Sequence, residues 1–110
     1  MLYAKKHSRT FADGSARRVL ALCDAALLGK SFEEGKVVLD LKVNASFYKG
    51  EKVGEKEAEK MLKNALEDSR SSLNVVGEKS VACLRKVLPS LGEKSVKKVA
   101  GVPHAQVYRV

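Results

Sequence analysis

Arg17-Arg18-Val19-Leu20-Ala21-Leu22-Cys23 reads as a β-strand with a charged entrance and an apolar remainder. After Arg18 no polar residue alternates with the apolar ones, so both faces of the strand need cover. A strand of that kind belongs inside a sheet. Upstream, Leu2 to His7 reads as a shorter, edge-like strand. Ser8 to Ser15 contains Asp13-Gly14, a strong turn signal, so the two strands should pair antiparallel.

Downstream, Asp24 is placed to cap one helical turn, Ala25 to Leu28, which Gly29 ends. Ser31 to Gly35 reads as a turn, and Lys36 to Leu41 as a third strand. Asn44 to Gly54 reads as an ordered loop anchored by Phe47-Tyr48. From Glu55, Ala58, Met61, Leu62, Ala65, Leu66 and Leu73 recur at helical spacing and form one apolar stripe. Asn74 to Gly77 breaks that pattern. Glu78 to Leu88 is a second helix, stopped by Pro89. Val96 to Val99 leads to a closing strand, Val102 to Val110, bent at Pro103. The expected fold is α+β in a single domain, residues 1–110. Two helices pack on one face of a small, mainly antiparallel sheet.

The chain has 110 residues, 45% hydrophobic and 31% charged, with no Trp, so its core rests on Val, Leu and Ala. That length can bury a core without metals or disulfides. No run approaches the roughly 20 apolar residues of a membrane span, and two lysines interrupt Met1 to His7 before a signal-peptide core forms. Cys23 and Cys83 stand alone, without a CxxC pair, and read as reduced, buried and intracellular.

The net charge of +8 is segregated: residues 1–30 carry +4, residues 31–76 carry −1, residues 77–98 carry +4, and Arg109 supplies the last +1. Basic flanks around a neutral middle suit a polyanion such as RNA, held by phosphate contacts that salt weakens. The candidate phosphate contacts are Arg17, Arg18, Lys79, Arg85, Lys86, Lys97 and Lys98, with Tyr3, Tyr48 and Tyr108 available for base stacking. The same charges also fit a solvated, mixed surface.

Catalytic and metal-binding patterns are thin. His104 with Cys23 or Cys83 would make a thiol–imidazole pair only if the fold brings them within hydrogen-bond reach. Zinc would need three or four N/S ligands, and His7, His104, Cys23 and Cys83 are scattered. No metal or cofactor is expected. Gly29-Lys30-Ser31 ends like a phosphate loop, but Asp24 occupies the position of that loop's first glycine. The ligand or interface candidates are therefore Pro103, His104, Gln106, Cys23, Lys30 and Asn74.

Several fragments carry a resemblance. Cys23-Asp24 precedes Leu27-Leu28-Gly29-Lys30 and then Phe32-Glu33-Glu34-Gly35. Phe47-Tyr48-Lys49-Gly50-Glu51 follows, then Asn74-Val75-Val76-Gly77-Glu78-Lys79-Ser80-Val81 and Gly101-Val102-Pro103-His104-Ala105-Gln106. In this order they resemble a small archaeal family known as domain of unknown function 424. The closing Gly-Val-Pro-His-Ala-Gln string is the most specific part. The resemblance implies a cytoplasmic α+β protein and brings no established activity, hence no catalytic residues. The chain departs from the family pattern in a longer, more basic first hairpin loop and in a lysine-rich approach, residues 95–98, to its last strand.

Three functions follow as expectations. The first is a non-enzymatic binding module acting on RNA or a ribonucleoprotein through a basic surface. The second is a protein–protein adaptor using the Phe47–Gly54 loop and the Pro103–Gln106 segment. The third is a small-ligand protein or enzyme using His104, Gln106 and Cys23. A terminal strand at a sheet edge would also allow pairing into a homodimer.

Overall fold

The computed structural model describes residues 1–92 and 95–107. The first hairpin is long. β1 (Leu2–Thr10) and β2 (Ala16–Asp24) pair antiparallel from Leu2 opposite Asp24 to Thr10 opposite Ala16. Asp13-Gly14 makes the turn, with Gly14 at φ 87° and the Asp13 carboxylate accepting from Ser15 N and Oγ. A single 3-10 turn, Ala25–Leu27, follows. Next come β3 (Ser31–Glu34) and β4 (Val37–Asp40), a separate two-stranded hairpin. Then follow α1 (Ala45–Tyr48), β5 (Glu51–Val53), α2 (Glu55–Glu67), β6 (Ser71–Val76), α3 (Glu78–Val87), β7 (Val96–Val99) and β8 (Val102–Val107).

The main sheet has six strands in the order β5-β1-β2-β6-β8-β7. The class is α+β, as expected, but the expectation of a small, mainly antiparallel sheet is corrected. The sheet is larger and mixed, because its central join, β2 with β6, is parallel from Arg18–Ser71 to Cys23–Val76. The helical stripe expected to run to Leu73 and the break expected over Asn74 to Gly77 give way to a strand, Ser71–Val76. Asp68 ends that helix instead: its carboxylate accepts from Arg70 N and Ser71 Oγ, which turns the chain. β-Branched Val75 and Val76 then suit a strand. Leu73 keeps helical phase with Leu66 only by coincidence, and it faces the core from β6.

Other expectations move as well. β1 is not an edge, because β5 covers it with Leu2 opposite Val53. Ser31 to Glu34 is strand rather than turn, and the segment 44–54 contains α1 and β5. Pro103 does not break β8, which pairs through it with β7, Pro103 opposite Lys98. β8 is not an edge strand where β7 covers it, from Val102 to Ala105, and the sheet ends on β5 and β7; residues 108–110 lie outside the described residues.

Side chains alternate across the sheet and build two cores. Leu2, Ala4, Leu20, Leu22, Leu73, Val75 and Ala105 face α2 and α3 and meet Ala58, Leu62, Val81 and Leu84. Both long helices thus lie on one face. Ala21, Cys23, Val76, Val99 and Val102 face the other way and meet Leu39, Leu41 and Tyr48 from the β3–β4 hairpin and α1. This second layer covers only part of its face, and the uncovered part holds the candidate site.

Asp24 does not cap the turn that follows it. Its carboxylate reaches the N-terminus of α3 and accepts from Lys79 N, Ser80 N and Ser80 Oγ at 3.1, 2.8 and 2.7 Å. Sequence separation hid this cap, since 55 residues lie between Asp24 and Lys79.

Candidate functional site

Strand alternation assigns the face beneath the hairpin. In one row across the sheet stand Ala21, Asn74 and Gln106, and in the next Cys23, Val76, His104 and Lys97. Toward the other end of the same face β1 contributes His7 and Arg9, β2 contributes Arg17 and Val19, and β6 contributes Ser72.

Asn74, His104 and Gln106 come together in a recess of about 350 Å³ between the sheet and the segment running from β4 to α1. Tyr48 Oη donates to Asn74 Oδ1 at 2.9 Å, and His104 Nε2 donates to the same oxygen at 2.9 Å. Two donors saturate the carbonyl and fix the amide plane. Asn74 therefore offers the recess its Nδ2 hydrogens. Gln106, directly opposite Asn74, is exposed and adds a second carboxamide. The far wall carries Asp40. Its Oδ1 accepts from the backbone N–H groups of Lys42 and Val43, while Asn44 Nδ2 donates to its carbonyl. Phe47 and Tyr48 close one side edge-to-face, and Phe47 stacks on His7 with ring centres 4.4 Å apart. His7 Nε2 also donates to the Phe47 carbonyl at 2.8 Å.

Burial lowers the pKa of His104, and the neighbouring Lys97 ammonium adds to this. The imidazole is neutral at pH 7, consistent with Nε2–H as donor to Asn74. For a histidine whose folded value lies below its ordinary 6.5, the unfolded chain binds the proton more readily. The stability due to neutral His104 is thus present above pH 6.5 and is lost as the pH falls through that value toward the folded pKa. His104→Gln keeps a donor to Asn74 and removes the titration. Urea unfolding of the wild type should weaken relative to this variant as pH drops below 6.5. Parallel stability curves would refute the assignment.

The remaining ligand candidates lie elsewhere. Cys23 is fully buried, donates to the Asp24 carbonyl, and is separated from His104 by Val76 on the intervening strand. Two strand spacings put the pair roughly 10 Å apart. Burial, helped by the Asp24 charge, pushes the Cys23 thiol up to about 12. This corrects the thiol–imidazole reading: the sulfur is a protonated core atom. Cys83 packs in the other core, on the helix side, and both cysteines are free thiols. Pro103 is buried, points to the opposite face from His104 and accepts from Gly77 N through its carbonyl. Lys30 is exposed where the chain enters β3, outside the recess. Among the described residues no three His, Cys, Asp or Glu gather as metal ligands.

The seven basic candidates do not converge. Arg17 and Lys97 share the hairpin-side face, but three strands and six residues of register separate them by roughly 25 Å. Arg18 points to the helix side and pairs with Asp68 at 2.9 Å. Lys79 begins α3, Arg85 and Lys86 end it, and Lys86 lies 4.0 Å from Glu59. Lys98 faces away from Lys97 on β7. Of the tyrosines, Tyr48 is buried, Tyr3 lies under Lys52, and Tyr108 lies outside the described residues.

A different basic group assembles at the open end of the face. Arg9 and Arg17 are directly opposite in the β1–β2 ladder. Arg17 and Arg70 line one polar cleft of about 330 Å³ with Ser15 and Ser69. Arg9 and Arg70 were not singled out in the sequence. The Asp13-Gly14 turn could have revealed Arg9, since a hairpin closed there sets Arg9 against Arg17. Tyr48 and Asp40 required the fold.

No helix among the described residues is long and apolar enough to cross a membrane. No curated protein matches the chain. Among solved structures it is similar to the crystal structure of an uncharacterized conserved protein from Methanopyrus kandleri. The two share 25% identity and superpose with a TM-score of 0.77 over 97% of this chain and 90% of that one. Residues 13–110 match the model of the family described as protein of unknown function (DUF424), and with nearly the whole chain matched, the protein belongs to that family.

Proposed function

We propose that this protein is a binding module for single-stranded RNA, held on the open half of the hairpin-side sheet face. The observation that carries this reading is the sharing of that half-face by a basic end and a carboxamide end. Arg9, Arg17 and Arg70 supply the first, Asn74 and Gln106 the second. Like charges directly opposite across a ladder cost stability, and phosphates bound along that end would offset the repulsion. Carboxamides read base edges, and single-stranded RNA exposes those edges. Four residues of β2 separate Arg17 from the row of Asn74, roughly 14 Å, a span that a few nucleotides cover. The His7–Phe47 stack stands at the rim between the two ends.

Fluorescence anisotropy of a short labelled single strand of mixed sequence tests this. Three arginine–phosphate contacts at about 0.7 each give a slope of log K against log salt near −2. Undetectable binding at low salt, or binding indifferent to salt, would overturn the proposal.

A second reading, a protein–protein adaptor, is favoured by one feature. Val37, Val38 and Val43 are 58%, 54% and 77% exposed on and beside the β3–β4 hairpin. Recovery of one defined protein from a nuclease-treated lysate, lost in a Val37→Ser/Val38→Ser variant, would favour that reading over RNA.

A further inference from the structure

We infer that the outer side of β1, from Lys6 to Thr10, takes an extended acidic segment of another protein as an added strand. Its occupancy does not depend on RNA binding at the sheet face. Backbone parity along β1 identifies the docking groups. At the turn end of the first hairpin Phe11 N donates to the Ser15 carbonyl, and at its other end Ala25 N donates to the Met1 carbonyl. Odd-numbered residues of β1 therefore direct their backbone groups toward β2. On the far side of β2, Arg18 N donates to the Arg70 carbonyl, as this parity requires. The N–H and C=O groups of Leu2, Ala4, Lys6, Ser8 and Thr10 consequently point away from β2. β5 pairs only with Leu2 to Ala4, and Gly50 then passes so close to the Ala4 carbonyl that a Cβ would strike it. Beyond that point the outward groups of Lys6, Ser8 and Thr10 meet no strand among the described residues.

Such a row is a template for one more strand. Lys6, Ser8, Arg9 and Thr10 are exposed, and β1 carries Lys5, Lys6 and Arg9 and no acid. A second copy of this chain would bring the same charges against them, which is unfavourable across a ladder, whereas an acidic strand gains from each opposite pair. On the helix side, a groove of about 360 Å³ lies between this stretch of β1 and α2. Lys6, Ser8, Leu20, Met61, Asn64 and Ala65 line it, and Asp68, also in the lining, is held by Arg18 at 2.9 Å. An added strand sets every second side chain on this side, about 5 Å from β1, where an aliphatic group leans toward half-buried Met61 and Ala65. The intervening side chains fall on the side of Arg9, where a carboxylate meets the guanidinium. The fitting segment thus alternates acidic with aliphatic residues.

The probe is a fluorescein-labelled peptide of about seven residues alternating glutamate with valine, a length that spans the open stretch. It is titrated against the intact, RNA-free protein and followed by anisotropy. A counterpart with lysine for glutamate should bind about tenfold more weakly or worse. Amide hydrogen exchange with and without the glutamate peptide locates the contact. Exchange at Lys6, Ser8 and Thr10 should slow about tenfold, while Lys5, His7 and Arg9, already bonded to β2, change little. Ser8→Pro removes an outward N–H and no bond to β2, the placement an edge strand tolerates. It should weaken the glutamate peptide about tenfold; should that variant fail to fold, the exchange pattern decides alone. Absence of binding, equal binding of both peptides, or binding that leaves Lys6, Ser8 and Thr10 unprotected would overturn the proposal. Protection of those amides in the free protein that is lost on dilution would also overturn it, by showing that the edge joins two copies of this chain.

Discussion

Replacing Gly77 with alanine is expected to destabilise the protein by about 4 kcal/mol, a loss of roughly 20 °C in Tm for a domain of this size. Two costs combine. Gly77 sits at φ 109° and ψ 156°, a region that is essentially glycine-only, and any other residue there costs about 1–3 kcal/mol. A Cβ at this position would also run into the Asp24 carboxylate, with Oδ1 at 2.5 Å and Oδ2 at 2.6 Å. Asp24 cannot move away freely. It holds the first turn of α3 through Lys79 N, Ser80 N and the Ser80 hydroxyl, and Ser80 is fully buried. Loss of such a cap costs about 0.5–2 kcal/mol, with a contribution from the carboxylate facing the helix dipole. Gly92→Ala is the control, because a Cβ there meets nothing within 4 Å and the backbone needs no left-handed φ. Asp24→Ala/Gly77→Ala should be less damaged than the sum of the single variants, since the first substitution removes the obstacle to the second. Urea unfolding of the wild type and the four variants measures this. Gly77→Ala unfolding alongside Gly92→Ala, or strict additivity with Asp24→Ala, would show that the two residues do not oppose each other.

The same junction shows what a sequence of this kind can and cannot disclose. Local signals were legible: Asp13-Gly14 as a hairpin turn, the apolar stripe of Ala58, Leu62 and Leu66 as α2, and Val19 to Cys23 as an interior strand. Those signals act within a few residues. The parallel join of β2 to β6 has no local cause. It depends on Val75 and Val76 finding Leu22 and Cys23 across a long connection, and on Asp68 stopping α2 just before Ser71. Asn74 was legible as a ligand candidate, but only its place on β6, opposite Gln106, sets it in the centre of the site. His104 and Gln106 were legible as unusual polar residues in a closing strand, and alternation alone separates them from Pro103. Tyr48 was legible as an apolar anchor. Its hydroxyl role was not, because its partner lies 26 residues away on a strand that only the fold identifies. That the basic candidates do not share one face has a related reason. Charge segregation along a chain says nothing of sheet faces, and consecutive pairs such as Arg17-Arg18 and Lys97-Lys98 must point to opposite sides.

Arg9→Ala/Arg17→Ala is expected to separate binding from stability more sharply than any other surface change. Both residues are exposed at the far end of the β1–β2 ribbon, directly opposite each other, and Arg9 lies over the Phe11 ring at 5.3 Å. Exposed strand positions of this kind change folding stability by about 0.5 kcal/mol or less, and two guanidiniums facing across a ladder repel. Unfolding midpoints should therefore stay close to the wild type. Affinity for single-stranded RNA should fall about a hundredfold at low salt, tenfold for each charge-assisted phosphate contact. The salt dependence should shrink by about 1.4 in the log–log slope, two contacts at roughly 0.7 each. Arg85→Ala/Lys86→Ala provides the matched control. It removes the same charge from the end of α3, a surface that faces away from the site. If binding responds to net charge alone, both double variants lose affinity equally and the slope changes alike. If the open half-face is the binding surface, only the β1–β2 pair weakens RNA strongly. The proposed carboxamide contact at Asn74 and the proposed phosphate contacts at Arg9 and Arg17 lie at opposite ends of one strand path. They should add as independent contributions, so adding Asn74→Asp to the double variant multiplies the two losses.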